Sequence, residues 1–281
     1  MISKYALIGF PVEHSLSPLM HEAGFKALNL KAEYHKLPLQ IHELSRGLNY
    51  LRQNNYAGWN VTYPLKEKIL PLLDFITPEA RTIGAVNTVK VTDGLLQGFN
   101  TDGDGFVQSL ADKGYSLAGK KVVLLGAGGA AKSIAVSLVK NKAHILILNR
   151  TPNKAQNLVK QIASLGGNSE WGVFAPGTWL QEADLLIQAT SLGLKGEQYP
   201  FSLEGINPAA WVVDLIYSPA VTPFLAQAAY HGCKTWNGLE MLLYQGALAW
   251  KIWLNREPPI DVMRQALLIN RNGGESHDCK Q

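Results

Sequence analysis

The sequence predicts an α/β fold in two parts: an N-terminal α/β substrate domain and a Rossmann-type doubly wound domain, with C-terminal helices returning to the first. Three observations predict it. Apolar runs that suit strands alternate with helical patterns along most of the chain. The stretch Val122-Val-Leu-Leu-Gly126-Ala127-Gly128-Gly129-Ala130-Ala131 runs from apolar β residues into a glycine turn and out as a helix, the pattern of a dinucleotide pyrophosphate site. A length of 281 residues is long for one core and ordinary for two.

In order, residues 5–9 read as a strand and 18–28 as a helix, with Ser17 as N-cap and Pro18 at the first helical position. Residues 33–37 are a strand, 41–53 a helix, 58–62 a strand, 66–73 a short helix and 85–91 a strand. Asp93-Gly94 is a hairpin turn into a strand at 95–99. Residues 103–113 read as a helix able to bridge two domains. Strands follow at 121–125, 144–148, 184–189 and 211–216, nearly continuously apolar as buried parallel strands are. Helices follow at 222–231, 239–254 and 260–270, and the polar tail from Gly273 is expected to fray. The expected division is 1–102 with 239–281 for the substrate domain and 103–238 for the nucleotide domain.

Composition narrows the function. Apolar residues make up 47% and charged residues 17%, as in a soluble globular protein. The net charge of +4 is spread without a basic run, so no nucleic-acid partner is implied, and mild positive potential suits small anionic ligands. Cys233 and Cys279 form no metal or disulfide pattern, and His14, His21, His35 and His42 are too irregularly spaced for a helical metal pair. The apolar stretch at 5–10 suits a core strand rather than a signal peptide, and 239–254 is too short and polar to span a bilayer. These features predict a cytoplasmic protein with no membrane, metal or nucleic-acid partner.

Gly126 permits the tight turn, Gly128 lets backbone approach phosphates, and small Ala131 lets helix and strand pack closely. The strand at 144–148 then ends in Asn149-Arg150-Thr151, where an NAD site usually carries an acid for the ribose 2′-hydroxyl. An Arg there suits a 2′-phosphate, and Lys154 offers a second cation, so the cofactor expected is NADP.

Four polar clusters sit at strand ends or turns of the first domain: Ser15-Leu-Ser17-Pro18, Asn60-Val-Thr62-Tyr-Pro64-Leu-Lys66, Gly84-Ala-Val-Asn87-Thr88 and Gly98-Phe-Asn100-Thr101-Asp102. Each has a structural explanation. Ser17 and Asp102 can cap helices, Asn87 can make an Asx-turn, and Lys66 can be solvated. Together they supply the hydroxyls, amides, Lys and Asp that recognition of a small polyhydroxylated acid requires.

These clusters, with the glycine loop, Asn149-Arg150-Thr151, Asp214-Leu-Ile-Tyr217, Thr222-Pro223 and Asn237-Gly238 leading to Gln245, resemble the shikimate dehydrogenase (shikimate/quinate dehydrogenase) family. The resemblance runs from Tyr5 to about the last helix. It implies NADPH-dependent, reversible reduction of 3-dehydroshikimate to shikimate on the route to chorismate and the aromatic amino acids, by a monomer or homodimer. Ser15 and Ser17 would hold the substrate carboxylate, with Tyr217 near it. Asn60, Thr62, Asn87, Asp102 and Gln245 would hold ring hydroxyls and the reacting oxygen, and Lys66 with Asp102 would be the catalytic pair. Gly126, Ala127, Gly128, Gly129 and Ala130 would cradle the pyrophosphate, Asn149, Arg150, Thr151 and Lys154 the 2′-phosphate, and Leu215 and Gly238 the nicotinamide. Two positions depart from the family pattern: Leu215 replaces a frequent Met, and Lys154 replaces an Arg of some relatives, giving a point charge for a planar fork. The rival readings are a quinate/shikimate dehydrogenase of broader substrate and cofactor use, and a non-catalytic NADP-dependent regulator.

Overall fold

Two six-stranded sheets, one in each of two units, carry the fold. The computed structural model describes residues 2–194 and 196–274. The units are Met1–Thr101 with Leu242–Gln281, and Asp102–Met241.

The first unit opens with β1 (Ser3–Gly9), α1 (Ser17–Ala27), β2 (Ala32–Pro38), α2 (Leu44–Gln53) and β3 (Tyr56–Val61), with β1 parallel to both neighbours. It continues through β4 (Phe75–Ile76), α3 (Pro78–Ile83), β5 (Thr88–Thr92) and β6 (Leu95–Phe99). The sheet order is β2-β1-β3-β5-β6-β4, and β5 runs antiparallel to β3 and β6. Asp93 and Gly94 both have positive φ, 51° and 78°, as the two-residue turn between twisted antiparallel strands requires.

The second unit contains α4 (Asp102–Asp112), β7 (Lys121–Leu125), α5 (Gly129–Lys140), β8 (His144–Asn149), α6 (Pro152–Ala163) and β9 (Ser169–Val173). It is completed by α7 (Trp179–Glu182), β10 (Leu185–Gln188), β11 (Trp211–Asp214), α8 (Pro223–Tyr230) and β12 (Lys234–Trp236). Every pairing in the order β12-β11-β10-β7-β8-β9 is parallel. Counted within the unit, that is the doubly wound order 6-5-4-1-2-3, whose topological switch lies beside β7. Val122 to Leu125 and Leu185 to Ile187 are buried because helices cover both faces of a parallel sheet. Gly103 on α4 is a packing glycine: a Cβ there would stand 2.2 Å from the Ser133 carbonyl oxygen of α5.

The chain ends in α9 (Leu239–Leu254) and α10 (Ile260–Gly274), and from Leu242 onward it belongs to the first unit. Trp250 and Trp253 of α9 join Tyr5, Leu7 and Phe25 in one core cluster, and a second cluster holds Ile8, Leu48, Trp59 and Leu65. The Trp253 indole donates to the Val89 carbonyl at 2.9 Å, and Gly58 is required beneath it, since a Cβ would meet Nε1 at 2.5 Å.

Several local expectations are corrected. Ser17 is the first helical residue of α1 and not its N-cap; Leu16 holds that position, and the Ser15 hydroxyl accepts from the Ser17 N–H at 3.2 Å. Residues 66–73 form turns and a 3-10 stretch at Leu70–Leu72, not a helix. The Lys66 carbonyl accepts from Val86 N–H at 2.8 Å, and Pro71 has no N–H to continue an α ladder. The strand expected at 85–91 begins only at Thr88. Asp102 lies inside the first turn of α4, not before it. The helix α10 continues through Gly274, past the expected tail start at Gly273; 275–281, with Cys279, lie outside the described residues.

His21 carries a testable cost within the first unit. Its ring is fully buried, stacks on Tyr34 at 4.5 Å and 9°, and neither ring nitrogen has a hydrogen-bond partner. Burial lowers its pKa from 6.5 to about 3. The unfolded chain therefore binds a proton that the folded chain refuses. The stability associated with neutral His21 is complete above pH 6.5 and falls as pH drops toward 3. At pH 5 the loss is about 2 kcal/mol. In His21→Phe, which keeps the stack, denaturant unfolding between pH 7 and 5 should lose that much of its pH dependence; an unchanged slope would refute the assignment.

Candidate functional site

Of the polar residues singled out in the sequence, Asn60, Asn87 and Gln245 lie on one hydrogen-bonded network inside the first unit, and Ser15 and Ser17 form a bonded pair in the same unit. The Ser15 hydroxyl donates to Ser17 Oγ at 3.2 Å. Tyr34 donates to Asn60 Oδ1 at 2.7 Å, and the Asn60 amide donates to Thr88 Oγ1 at 3.1 Å and to the Asn87 carbonyl at 3.3 Å. Thr88 donates to Asn87 Oδ1 at 2.9 Å, and Asn87 Nδ2 donates to Thr101 Oγ1 at 2.8 Å and to Gln245 Oε1 at 3.5 Å. Thr101 closes the path by donating to the Gln245 carbonyl at 3.0 Å.

Strand ends place these groups. Asn60 is the penultimate residue of β3, Asn87 precedes β5 and Thr101 follows β6, so the antiparallel pairings bring their side chains side by side. Asn60, Asn87, Thr101 and Ser17 are at most 4% exposed, and each polar atom so buried needs a partner. Burial also holds the Tyr34 phenol far above its ordinary pKa, so its hydroxyl keeps its proton. Thr62 and Lys66 lie on the turn after β3 and are both half-buried. Tyr34, Thr88 and Thr101 are the connectors sequence reasoning did not assign. Thr88 and Thr101 stood within the polar clusters, but a Tyr in mid-strand carries no signal distinguishing it from core.

In the second unit the glycine loop leaves the C-terminal end of β7. Gly126 has φ of 120°, and a Cβ there would lie 3.0 Å from the Ala189 carbonyl oxygen. Gly128 is the N-cap of α5, makes no side-chain cap, and has no atom within 4 Å of where a Cβ would stand. The first N–H groups of α5, from Gly129 onward, therefore face a bare backbone cradle of the kind that binds phosphates. Ala127 and Ala131 are buried beneath it. Leu125 pairs with Leu148, so β8 ends beside the loop and delivers Asn149, Arg150 and Thr151 there. Asn149 donates to the Thr151 carbonyl at 2.9 Å, while Arg150 and Lys154 are exposed. These residues fit a 2′-phosphorylated dinucleotide in donor type and in the space left by the missing side chains.

The segment after β11 carries Leu215 and Tyr217, both half-buried. Asp214 fastens it at both ends, accepting from Ile216 N–H at 3.0 Å and from the Thr222 hydroxyl at 2.6 Å. Burial raises the Asp214 pKa to about 6, against the opposing pull of those two donors. Gly238 has to be glycine: a Cβ would stand 2.0 Å from the Leu215 carbonyl oxygen. Asp102 and Tyr217 fall within this second unit. No cluster of three or more His, Cys, Asp or Glu able to hold a metal occurs among the described residues, and no helix there is long and apolar enough to cross a membrane.

Family models match along the chain: a shikimate dehydrogenase substrate binding domain at residues 7–89, a shikimate/quinate 5-dehydrogenase at 109–194 and a shikimate 5′-dehydrogenase C-terminal domain at 238–268. A shikimate dehydrogenase (NADP(+)) of Desulfitobacterium hafniense is 51% identical over 95% of this chain and 98% of its own. A Thermus thermophilus shikimate 5-dehydrogenase, solved with NADP(H) and shikimate, is 38% identical with a TM-score of 0.87, covering 95% of this chain and 99% of that one. A Corynebacterium glutamicum quinate dehydrogenase, solved with NAD, is 28% identical with a TM-score of 0.84 over 95% and 99%.

Proposed function

The chain belongs to the shikimate dehydrogenase family, and we propose that its polar network and glycine loop serve the reversible NADPH-dependent reduction of 3-dehydroshikimate to shikimate, in aromatic biosynthesis. The observation that carries the substrate half is the buried network joining Asn60, Asn87 and Gln245, with the Ser15–Ser17 pair in the same unit. Ser15 and Ser17 take the carboxylate. Asn60, Thr62, Asn87 and Gln245 take the ring hydroxyls. Asn60 has both amide hydrogens committed, to Asn87 and Thr88, so it meets a ligand as an acceptor through Oδ1, which suits a donating hydroxyl. Tyr217 joins the carboxylate end.

Gly126, Ala127, Gly128, Gly129 and Ala130 hold the pyrophosphate, Asn149, Arg150, Thr151 and Lys154 the 2′-phosphate, and Leu215 and Gly238 the nicotinamide. When bound, the nicotinamide supplies the hydride. Reducing a ketone leaves negative charge on its oxygen, and the Lys66 ammonium stabilises that oxygen and gives it a proton. In the reverse direction the substrate hydroxyl returns its proton to Lys66, and Asp102 accepts a hydrogen bond from that hydroxyl and keeps the Lys charged and oriented. The reading extends to a cytoplasmic enzyme acting as monomer or homodimer.

Side-by-side turnover of shikimate and quinate with NADP and NAD tests it. The shikimate/NADP pair should give the highest kcat/KM. Preference for quinate or NAD would move the chain to the quinate branch, and no turnover of any pair would leave a binding protein.

A further inference from the structure

We propose that Asp214 is a positioning residue for hydride transfer, holding Leu215 and Gly238 in fixed register with each other. This rests on the assignment of Leu215 and Gly238 to the nicotinamide and goes beyond it, because Asp214 touches no ligand in that reading.

Asp214 is the last residue of β11 and is fully buried, as is Thr222. Each carboxylate oxygen takes one donor: Ile216 N–H reaches Oδ1 at 3.0 Å, and the Thr222 hydroxyl reaches Oδ2 at 2.6 Å. Thr222 is also the N-cap of α8, accepting from Leu225 N–H at 3.3 Å. Its one hydroxyl hydrogen goes to Asp214 and its lone pair to the helix. Both donors to Asp214 are neutral. Burying a carboxylate against neutral donors is costly, and packing alone does not call for it. What the carboxylate supplies is two acceptor oxygens on one rigid group, where an amide supplies one.

The consequence falls on Leu215. Its N–H donates to the Gln188 carbonyl of β10 at 2.9 Å. The next N–H along the chain, that of Ile216, is the one Asp214 takes. The Ile216 carbonyl in turn accepts from Gly238 N–H at 3.2 Å, and Gly238 lies so close to the Leu215 carbonyl that no side chain fits between them. Asn237 repeats the tie one residue earlier, donating to the Ala220 carbonyl at 3.0 Å. Gly238 is thus carried by Ile216, and Ile216 by Asp214. Loss of the carboxylate frees the peptide between Leu215 and Ile216, and with it the relative place of the two residues assigned to the nicotinamide. A displacement of about 1 Å at such a site costs roughly 10²-fold in rate.

The test compares Asp214→Asn, Thr222→Val and Leu215→Ala in shikimate oxidation by NADP. Binding of 2′-phospho-ADP-ribose, which lacks the nicotinamide, counts the folded cofactor sites, and kcat is expressed per site. Asp214→Asn keeps the shape and one acceptor; Thr222→Val keeps the carboxylate and removes its hydroxyl donor. Each should lower kcat per site roughly 10–100-fold and raise the KM for NADP about 3–30-fold, with the Kd for 2′-phospho-ADP-ribose and the KM for shikimate within about twofold of wild type. If activity falls only in proportion to the number of sites, Asp214 merely supports folding and the proposal is overturned. If Leu215→Ala impairs NADP use while neither Asp214→Asn nor Thr222→Val does, Asp214 positions nothing and the nicotinamide assignment stands. If Leu215→Ala changes neither kcat nor the KM for NADP, the nicotinamide assignment itself fails, and the proposal with it.

Discussion

Replacing Lys66 with alanine is expected to lower kcat for shikimate oxidation by roughly 10²–10⁴ while changing the KM for shikimate only a few-fold. The split follows from what the side chain is asked to do. Negative charge on the carbonyl oxygen develops during hydride transfer, so an ammonium placed for it acts more strongly on the transition state than on bound substrate. The fold gives reason to expect a clean measurement. Lys66 is half-buried, and its place is fixed by groups that survive the substitution: its own carbonyl accepts from Val86 N–H at 2.8 Å, and neighbouring Leu65 and Ile69 are fully buried. Thermal unfolding should therefore be nearly unchanged. A variant with near wild-type kcat would remove Lys66 from the chemistry. A fall in kcat accompanied by an equal loss of unfolding temperature would show damage to the turn instead.

The same turn shows where local sequence stops determining structure. Residues 66–73 have a helical pattern, yet the carbonyl a helix would use is taken by Val86, far along the chain. Tertiary pairing outbid local propensity, as it does in short segments generally. The strand–turn–strand around β7 and β8 was legible for the opposite reason: its apolar run is buried on both faces, so pattern and packing agree. Ser17 and Asp102 were placed one position outside their helices because a capping residue and a first-turn residue share the same chemistry. Among the polar residues of the first unit the Asn and Ser positions stood out as clusters, and Gln245 only through the family resemblance. Tyr34, which donates to Asn60, did not, since that bond depends on β2 lying two strands from β3 across β1. Asp214 escaped likewise: only the observed chain path shows that one carboxylate holds both Ile216 and Thr222.

The second large effect concerns the cofactor. Arg150→Ala is expected to raise the KM for NADPH roughly 10–100-fold and to leave the KM for NADH within about threefold, because a charge-assisted contact to a phosphate is lost in one case and absent in the other. The argument is positional. Arg150 immediately follows β8, which pairs in parallel with β7, so it is delivered to the C-terminal end of these strands, where the glycine loop leaves β7. Its backbone neighbours are held without it, Asn149 by its bond to the Thr151 carbonyl at 2.9 Å. The side chain is exposed, so the wild-type preference should weaken as ionic strength rises, and the variant's, resting on Lys154 alone, should weaken less. Lys154→Ala should act in the same direction and less strongly, since an exposed ammonium in the first turn of α6 contributes charge without a bidentate fork. Equal effects of Arg150→Ala on both cofactors would mean that Arg150 supports the loop generally and that the 2′-phosphate is read elsewhere.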